Sequence, residues 1–509
     1  MKKITILYIA GILLGSMTAC TKDFEEINTN PNVVETPNPN FIFSKSQLDG
    51  LNNNYFATNI LECGGMLQHY ATYKEASGAG DKYLSNEVYY SAYFNQAYPT
   101  GVNEVEIVIN TVKDNAADSN KLNIARIWKA YLFHRITDLY GDIPYSEAAK
   151  ANSQQIFLPK YDSQEFIYKD LLKELEDAAL ALDPAKASFG TADFIYNGDV
   201  AKWKKFSYSL MLRLGLRLTK ADPALAQTWV TKAIAGGVIL NGTDNAIMKY
   251  TDGPNDFNRN PVGLDSRRQD FTAGSYGQKN VEGGKLGKTF IDLLKATADP
   301  RISVYAGVWE GTVQNTTLAV QKGFPNGTKI APTAAEQGTY SEPNQSTVFK
   351  YDAPLVLISN AETNLYLAEA AARGWYTTET AKDLYEKGVK ASFLNMGIYG
   401  AVYTIADATP YLTANPFNTA GTFEDKMNQI HTQVYVALFV DEQEVYANWR
   451  RTGYPVLVPV NFPGNVTNGT IPRRFKYPTT EYSVNSANLA EAIKRQGEDV
   501  FTTKIWWDK

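Results

Sequence analysis

Two cysteines and three histidines in 509 residues leave little material for a disulfide framework or a histidine-rich metal centre. His69, His134 and His431 are dispersed, none with a partner at helical ligand spacing, so each is expected as a satisfied polar residue and not as a metal ligand. Long apolar runs are equally scarce. Beyond the first twenty residues no uninterrupted stretch of 18 occurs, which excludes a spanning helix of the usual kind from the body. Positive charge is also in deficit: 49 Lys and Arg stand against 54 Asp and Glu, a net charge of −5, which argues against nucleic acid or an anionic lipid surface as the main partner. Nothing resembling a nucleotide site compensates. "EGGKLGKT" at 282–289 has Glu282 where a phosphate loop needs glycine, and its charge would oppose a phosphate. No cofactor is expected.

What is present begins at the amino terminus. Lys2 and Lys3 precede an apolar stretch, Ile4 to Leu14, of signal-peptide length, and small residues Ser16, Thr18 and Ala19 lead into Cys20. The pattern resembles a bacterial lipobox, with Met17 where leucine is more usual. Residues 1–19 then form a removable signal peptide, Cys20 is the lipidation site, and acyl chains anchor the protein in outer-membrane lipid. An ordinary signal peptide with an incidental cysteine is the other reading. Lys22, Asp23, Glu25 and Glu26 resemble a surface-routing tag interrupted by Phe24, so the exterior face of the cell is the expected location. Residues 20–40 are the lipidated cysteine and an extended linker, because Pro31, Pro37 and Pro39 remove backbone donors and fix φ. Cys63, left without a partner once Cys20 is acylated, is expected to be a small buried apolar residue.

Residues 41–509 read as a single body whose periodicity is mostly helical. Ile124, Ile127, Trp128, Tyr131, Leu132, Ile136 and Leu139 share one face before Gly141 and Pro144. A second helix starts at Ser163, with Phe166, Leu171, Leu172, Leu175, Ala178 and Leu182 on one side, and ends at Asp183-Pro184. Further helices are expected over "VAKWKKFSYSLMLRLGLRLTK", "PALAQTWVTKAIAGG", "LISNAETNLYLAEAAARG" and "TAKDLYEKGVKASFLNMG", and one long helix over "FEDKMNQIHTQVYVALFVDEQEVYANWRR". Paired helices of this length suggest a tetratricopeptide-like helical-hairpin superhelix, although no clean 34-residue repeat can be extracted. Gly, Pro, Asn and Thr crowd residues 240–285 and 302–350, so a loop-rich subdomain of approximately 240–350 is expected between the hairpins.

Five ordered stretches, "DPR" at 299–301, "NAETNLYLAEAAARGW" at 360–375, "LYEKGVKASFLNMG" at 384–397, "IHTQVYVALFVDEQEVYANWRRTGYPVL" at 430–457 and "PRRFKYPTTEYSVNSAN" at 472–488, resemble the SusD/RagB family of nutrient-binding outer-membrane lipoproteins. "DLYGDIPYSEA" and the terminal "WWDK" extend the resemblance over nearly the whole chain. It implies a mainly α, SusD-like fold, capture of a glycan or other nutrient oligomer, and delivery to a TonB-dependent SusC-like transporter without catalysis. A peptide-binding relative, a structural lid of that transporter and a surface glycoside hydrolase are the alternatives.

The motifs themselves read as packing. Glu369 and Arg373 stand four apart on one helical face, and Arg450 and Arg451 suit a helix end closed by Gly453. Asp441, Glu442 and Glu444 are the only carboxylates that invite comparison with a glycosidase pair, which needs two acids flanking one bond. A sugar site calls instead for an exposed ring beside Asn, Asp or Arg. The tyrosine-rich window 69–101 supplies Tyr83, next to a Gly/Ser/Asp loop, while Tyr89, Tyr90, Tyr93 and Phe94 fall at helical spacing and read as core. Tyr276 in "AGSYGQKN" and Trp309 in "YAGVWEG" complete the candidate ligand-binding set of Tyr83, Tyr276 and Trp309.

Overall fold

The computed structural model describes residues 38–74, 79–268, 284–330 and 332–509. Tyr276, Cys20, the signal segment and the linker up to residue 37 lie outside these residues; the linker's last proline, Pro39, expected to be extended, instead opens a helix, where its missing N–H is not needed. Residues Asn40–Lys509 form one compact unit. Thirteen α-helices of nine residues or more are found among the described residues. They are α1 (Pro39–Asn52), α2 (Asn103–Val112), α3 (Ser119–Tyr140), α4 (Gln164–Ala181), α5 (Val200–Arg217), α6 (Pro223–Gly236) and α7 (Lys288–Ala296), followed by α8 (Asn360–Ala372), α9 (Ala381–Asn395), α10 (Ile405–Ala414), α11 (Phe423–Ala437), α12 (Glu442–Thr452) and α13 (Ser486–Gln496).

Four antiparallel pairs, α3 with α4, α5 with α6, α8 with α9 and α11 with α12, make the scaffold, and α8 also packs on α11. The sequence determines where these helices start. The Ser163 hydroxyl accepts from the Phe166 N–H at 3.3 Å, and Asp199, Asp222, Ser359 and Thr380 cap α5, α6, α8 and α9 in the same way. Close approach requires small residues at the contacts: a Cβ added to Gly388 of α9 would lie 2.7 Å from the Leu365 side chain of α8. Gly141 closes α3 at φ +85, and its missing side chain leaves room for Gln496, whose Oε1 accepts from the Asp142 N–H at 2.7 Å and docks α13.

The long helix expected over 423–451 is two helices. α11 ends at Ala437, and Val440 takes φ +81, a conformation that a β-branched residue rarely accepts. Buried pairing holds the break: the Val440 N–H donates to Glu442 Oε1 at 3.1 Å, and Asp441 accepts from Arg135 of α3 at 2.9 Å. Phe166, expected on the buried side of α4, is 47% exposed.

In the link from α3 to α4, β2 (Ile143–Pro144) pairs with β3 (Tyr161–Asp162). Between α6 and α8 the chain changes character. β4 (Ala246–Met248) pairs with β9 (Leu355–Ile358), closing the base of an interval that holds α7, β5 (Gly284–Leu286), β6 (Ala306–Glu310), β7 (Val313–Asn315) and β8 (Glu342–Pro343). β6 is flanked by β7 and β8. β5 pairs antiparallel with β1 (Tyr70–Thr72), matching Tyr70 to Leu286 and Thr72 to Gly284, and so ties this interval to the tyrosine-rich window.

Candidate functional site

The most recognisable stretches of sequence meet in a buried seam between α3, α5, α8 and α12. Arg213 grips Glu362 through two nitrogens at 2.7 and 2.8 Å, and Arg217 reaches Glu444 at 2.5 Å and Asp138 at 3.4 Å. Tyr366 donates to Glu444, and Trp507 donates to Asp138 at 3.1 Å. Arg451 holds Glu369 at 2.7 and 2.8 Å, with Arg373 beside it at 2.8 Å, as the four-residue spacing predicts. Burial opposes charge on Glu369, but Arg451, His431 and Arg373 outweigh it and hold the carboxyl well below its ordinary range. Glu444 is likewise lowered, against burial, by Arg213 and Arg217. Glu362 is pushed up to about 7, because burial there exceeds what Arg213 returns.

These pairings answer the catalytic question in physical terms. Asp441, Glu442 and Glu444 are bound to Arg135, His69 and Arg217, and all three are buried, so none faces a substrate with its partner across a bond. His69 meets Glu442 at 2.6 Å, and His431 lies 3.0 Å from Glu369 and 3.2 Å from Asn448. The sequence reading that no histidine has a ligand-type neighbour one turn away needs correction. Asp138 follows His134 by one turn of α3, and Glu444 joins them with ligand atoms all within 4.8 Å of one another. Arg217 contacts both carboxylates, so a guanidinium already supplies the positive charge a cation would bring there. Cys63 is fully buried, and burial pushes its thiol well up, away from reactivity.

Of the three candidate ligand residues, Tyr83 and Trp309 are described and differ in exposure, while Tyr276 lies outside the described residues. Tyr83 is 1% exposed, and the expectation of an open ring there is corrected: its hydroxyl accepts from the Val460 N–H at 3.2 Å and its carbonyl accepts from the Val466 N–H at 2.9 Å. It sits at φ +55 directly after the buried pair Asp81–Lys82, which also contacts Thr72 and Gly327. Tyr90, Tyr93 and Phe94 are core, as their spacing predicts. Trp309, on β6, is half-buried, and its indole N–H donates to Glu342 Oε2 at 2.8 Å while Lys285 of β5 takes the other carboxylate oxygen. The polar edge of this indole is therefore fixed while its ring remains partly open.

A ring cluster lies on the same strands. Tyr73, just past β1, and Tyr340, just before β8, are half-buried and both meet Phe324 edge to face, at 6.3 and 4.9 Å. Lys322 stands 4.3 Å over Tyr340. Phe324 is held by backbone bonds to Leu286 and Lys288, so β1, β5, 322–324 and β8 form one hydrogen-bonded surface. Such rings offer faces to sugar C–H groups and nearby polar partners to hydroxyls. Tyr73 belongs to the tyrosine-rich window and could have been singled out by its place beside the Gly/Ser loop. Tyr340 has no periodicity around it, and nothing in "QGTYSEP" marks it.

The fold is that of SusD-like proteins, a helical scaffold of tetratricopeptide type. Residues 31–478 match a family model described as "Starch-binding associating with outer membrane", and the chain belongs to this SusD-like family, a family of outer-membrane-associated binding proteins. A chitin-binding protein of known structure is 30% identical, with a TM-score of 0.81, covering 93% of this chain and 100% of the other. A chitin-binding SusD homologue from Flavobacterium johnsoniae is 26% identical with a TM-score of 0.76, covering 92% and 98%. A SusD homologue from Bacteroides uniformis is 25% identical with a TM-score of 0.77, covering 93% and 100%. A search of curated proteins finds no match. Among the described residues no helix is long and apolar enough to cross a membrane.

Proposed function

We propose that this chain is a non-catalytic cell-surface lipoprotein, anchored through acylated Cys20, which binds a glycan oligomer and delivers it to a SusC-like TonB-dependent transporter. The observation that carries this reading is family membership over residues 31–478, together with relatives named as chitin-binding. The ring-bearing strands supply a physical means: Trp309, Tyr73 and Tyr340 present partly open rings beside Glu342, Lys285 and Lys322. Tyr276, outside the described residues, is retained as a ligand candidate on the same grounds as before. Tyr83 acts in this reading as a buried support for the loop that precedes it.

The decisive experiment is affinity purification of the full chain from native outer membranes, followed by titration with chito-oligosaccharides and starch oligomers. The expected result is an acylated amino terminus at Cys20, a co-purifying barrel, and glycan binding with no product release. An unlipidated amino terminus, or oligomers cleaved by the pure protein, would overturn it.

A further inference from the structure

We propose that a pocket between the ends of α5, α8 and α12 and the start of α11 binds an organic anion of monosaccharide size, with Lys220 and Arg373 facing its carboxylate and the buried Arg451 behind them. The cavity measures about 200 Å³ and is walled on its apolar side by Phe423, Met427 and Tyr454. That is smaller than the roughly 300–1,000 Å³ typical of drug-sized sites, so one sugar-sized unit fits and an oligomer does not.

The charge around the cavity is unbalanced. Arg373 and Arg451 share a single carboxylate, Glu369, which is itself fully buried. Arg451 is 1% exposed, and its Nε–H has no partner among the described residues. Lys220, just past α5, has no carboxylate within ion-pair distance there either. On the opposing side Glu424 is engaged by the Tyr454 hydroxyl at 2.8 Å, and Asp425 closes the capping box of α11 with Thr422. Asp508 is taken by Arg473. Lys220, Arg373 and Arg451 thus face Glu369 and Glu424, one positive charge in surplus on a chain whose net charge is −5. Helix ends account for part of this, since a cation near each of three carboxyl termini suits their dipoles. They do not account for the apolar walls. The ammonium of Lys220 shows the same field: burial pulls its pKa down, and Arg473, Lys504 and Arg451 add to that while only Asp508 opposes. A carboxylate entering the pocket would relieve the crowding of cations, and a pyranose ring would lie against Phe423 and Tyr454.

The test is calorimetric titration of the full chain at low ionic strength with glucuronate, glucose and sulfate, repeated on Lys220→Glu. Lys220 makes no ion pair among the described residues, so folding should survive its replacement, as an unchanged ligand-free Tm would verify. Glucuronate is expected to bind and glucose not, with affinity falling at least tenfold in the variant. No binding of glucuronate, equal binding of glucose, or undiminished binding by Lys220→Glu would overturn the proposal. Sulfate binding as tightly as glucuronate would overturn its organic part. Chito-oligosaccharide binding unchanged in Lys220→Glu would show that this pocket and the ring-bearing strands are separate.

Discussion

Arg213, Arg217 and Arg451 each point at a carboxylate that is itself buried, whereas around β1, β5 and β6 the rings of Tyr73, Tyr340 and Trp309 stay half open. The first region is fixed by charges that cannot be moved without leaving a partner stranded. The second is fixed by backbone ladders, which leave side chains free to differ. A region of the first kind dictates residue identity and therefore leaves a readable signature in the sequence. One of the second kind permits almost any ring that suits the cargo.

The sharpest way to break this contrast is Glu444→Ala. It leaves Arg217 with only its longer contact to Asp138, while Arg213 keeps Glu362, and removing one member of a buried pair costs roughly 3–5 kcal/mol. Chemical denaturation should show that loss, or soluble protein should fail to accumulate.

An effect that emerges only with rising pH is expected at Glu62, which lies in the π-helix Phe56–Gly64 with both oxygens buried and without a partner among the described residues. Burial pushes its pKa up to about 8. Between the ordinary carboxylate range near 4.5 and that value, the folded chain holds a proton that the unfolded chain has released. Stability therefore falls as pH rises through this window, by about 1.4 kcal/mol per unit at most. Glu62→Gln should remove that slope, so that the variant gains on the native chain between pH 5 and pH 8 in parallel melts. Equal slopes would show that Glu62 does not titrate there.

The least expected effect on stability, and the clearest on binding, belongs to Trp309→Ala. Loss of one stacked ring should weaken glycan affinity five- to thirtyfold, about 1–2 kcal/mol, with the Tm little changed. Tyr83→Ala should do the reverse, because a buried ring is lost. Equal behaviour of the two variants would erase the distinction drawn between the regions.

Legibility in the sequence follows the same line. Helix starts were readable because Ser163, Asp199 and Thr380 are local signals that act within three residues. The pairing of Glu369 with Arg373 was readable from spacing alone. The break between α11 and α12 was not, since no Gly or Pro marks Leu438–Asp441 and the turn is imposed by Arg135, some 300 residues earlier. Nor was the burial of Tyr83: the loop beside it suggested exposure, while Val460 and Val466, far along the chain, cover it. Tyr340 shows the limit most plainly, because what qualifies it is the neighbouring ring of Phe324 and not its own surroundings in sequence.

Asp138 gathers its partners from ever greater distances along the chain: Tyr168, then Arg217, then Arg450 through its carbonyl, and at last Trp507, 369 residues away. A polypeptide emerging from the ribosome can fill this hub only after nearly all of it has been made. Until then the helices around Asp138 lack the last of the partners that fix them.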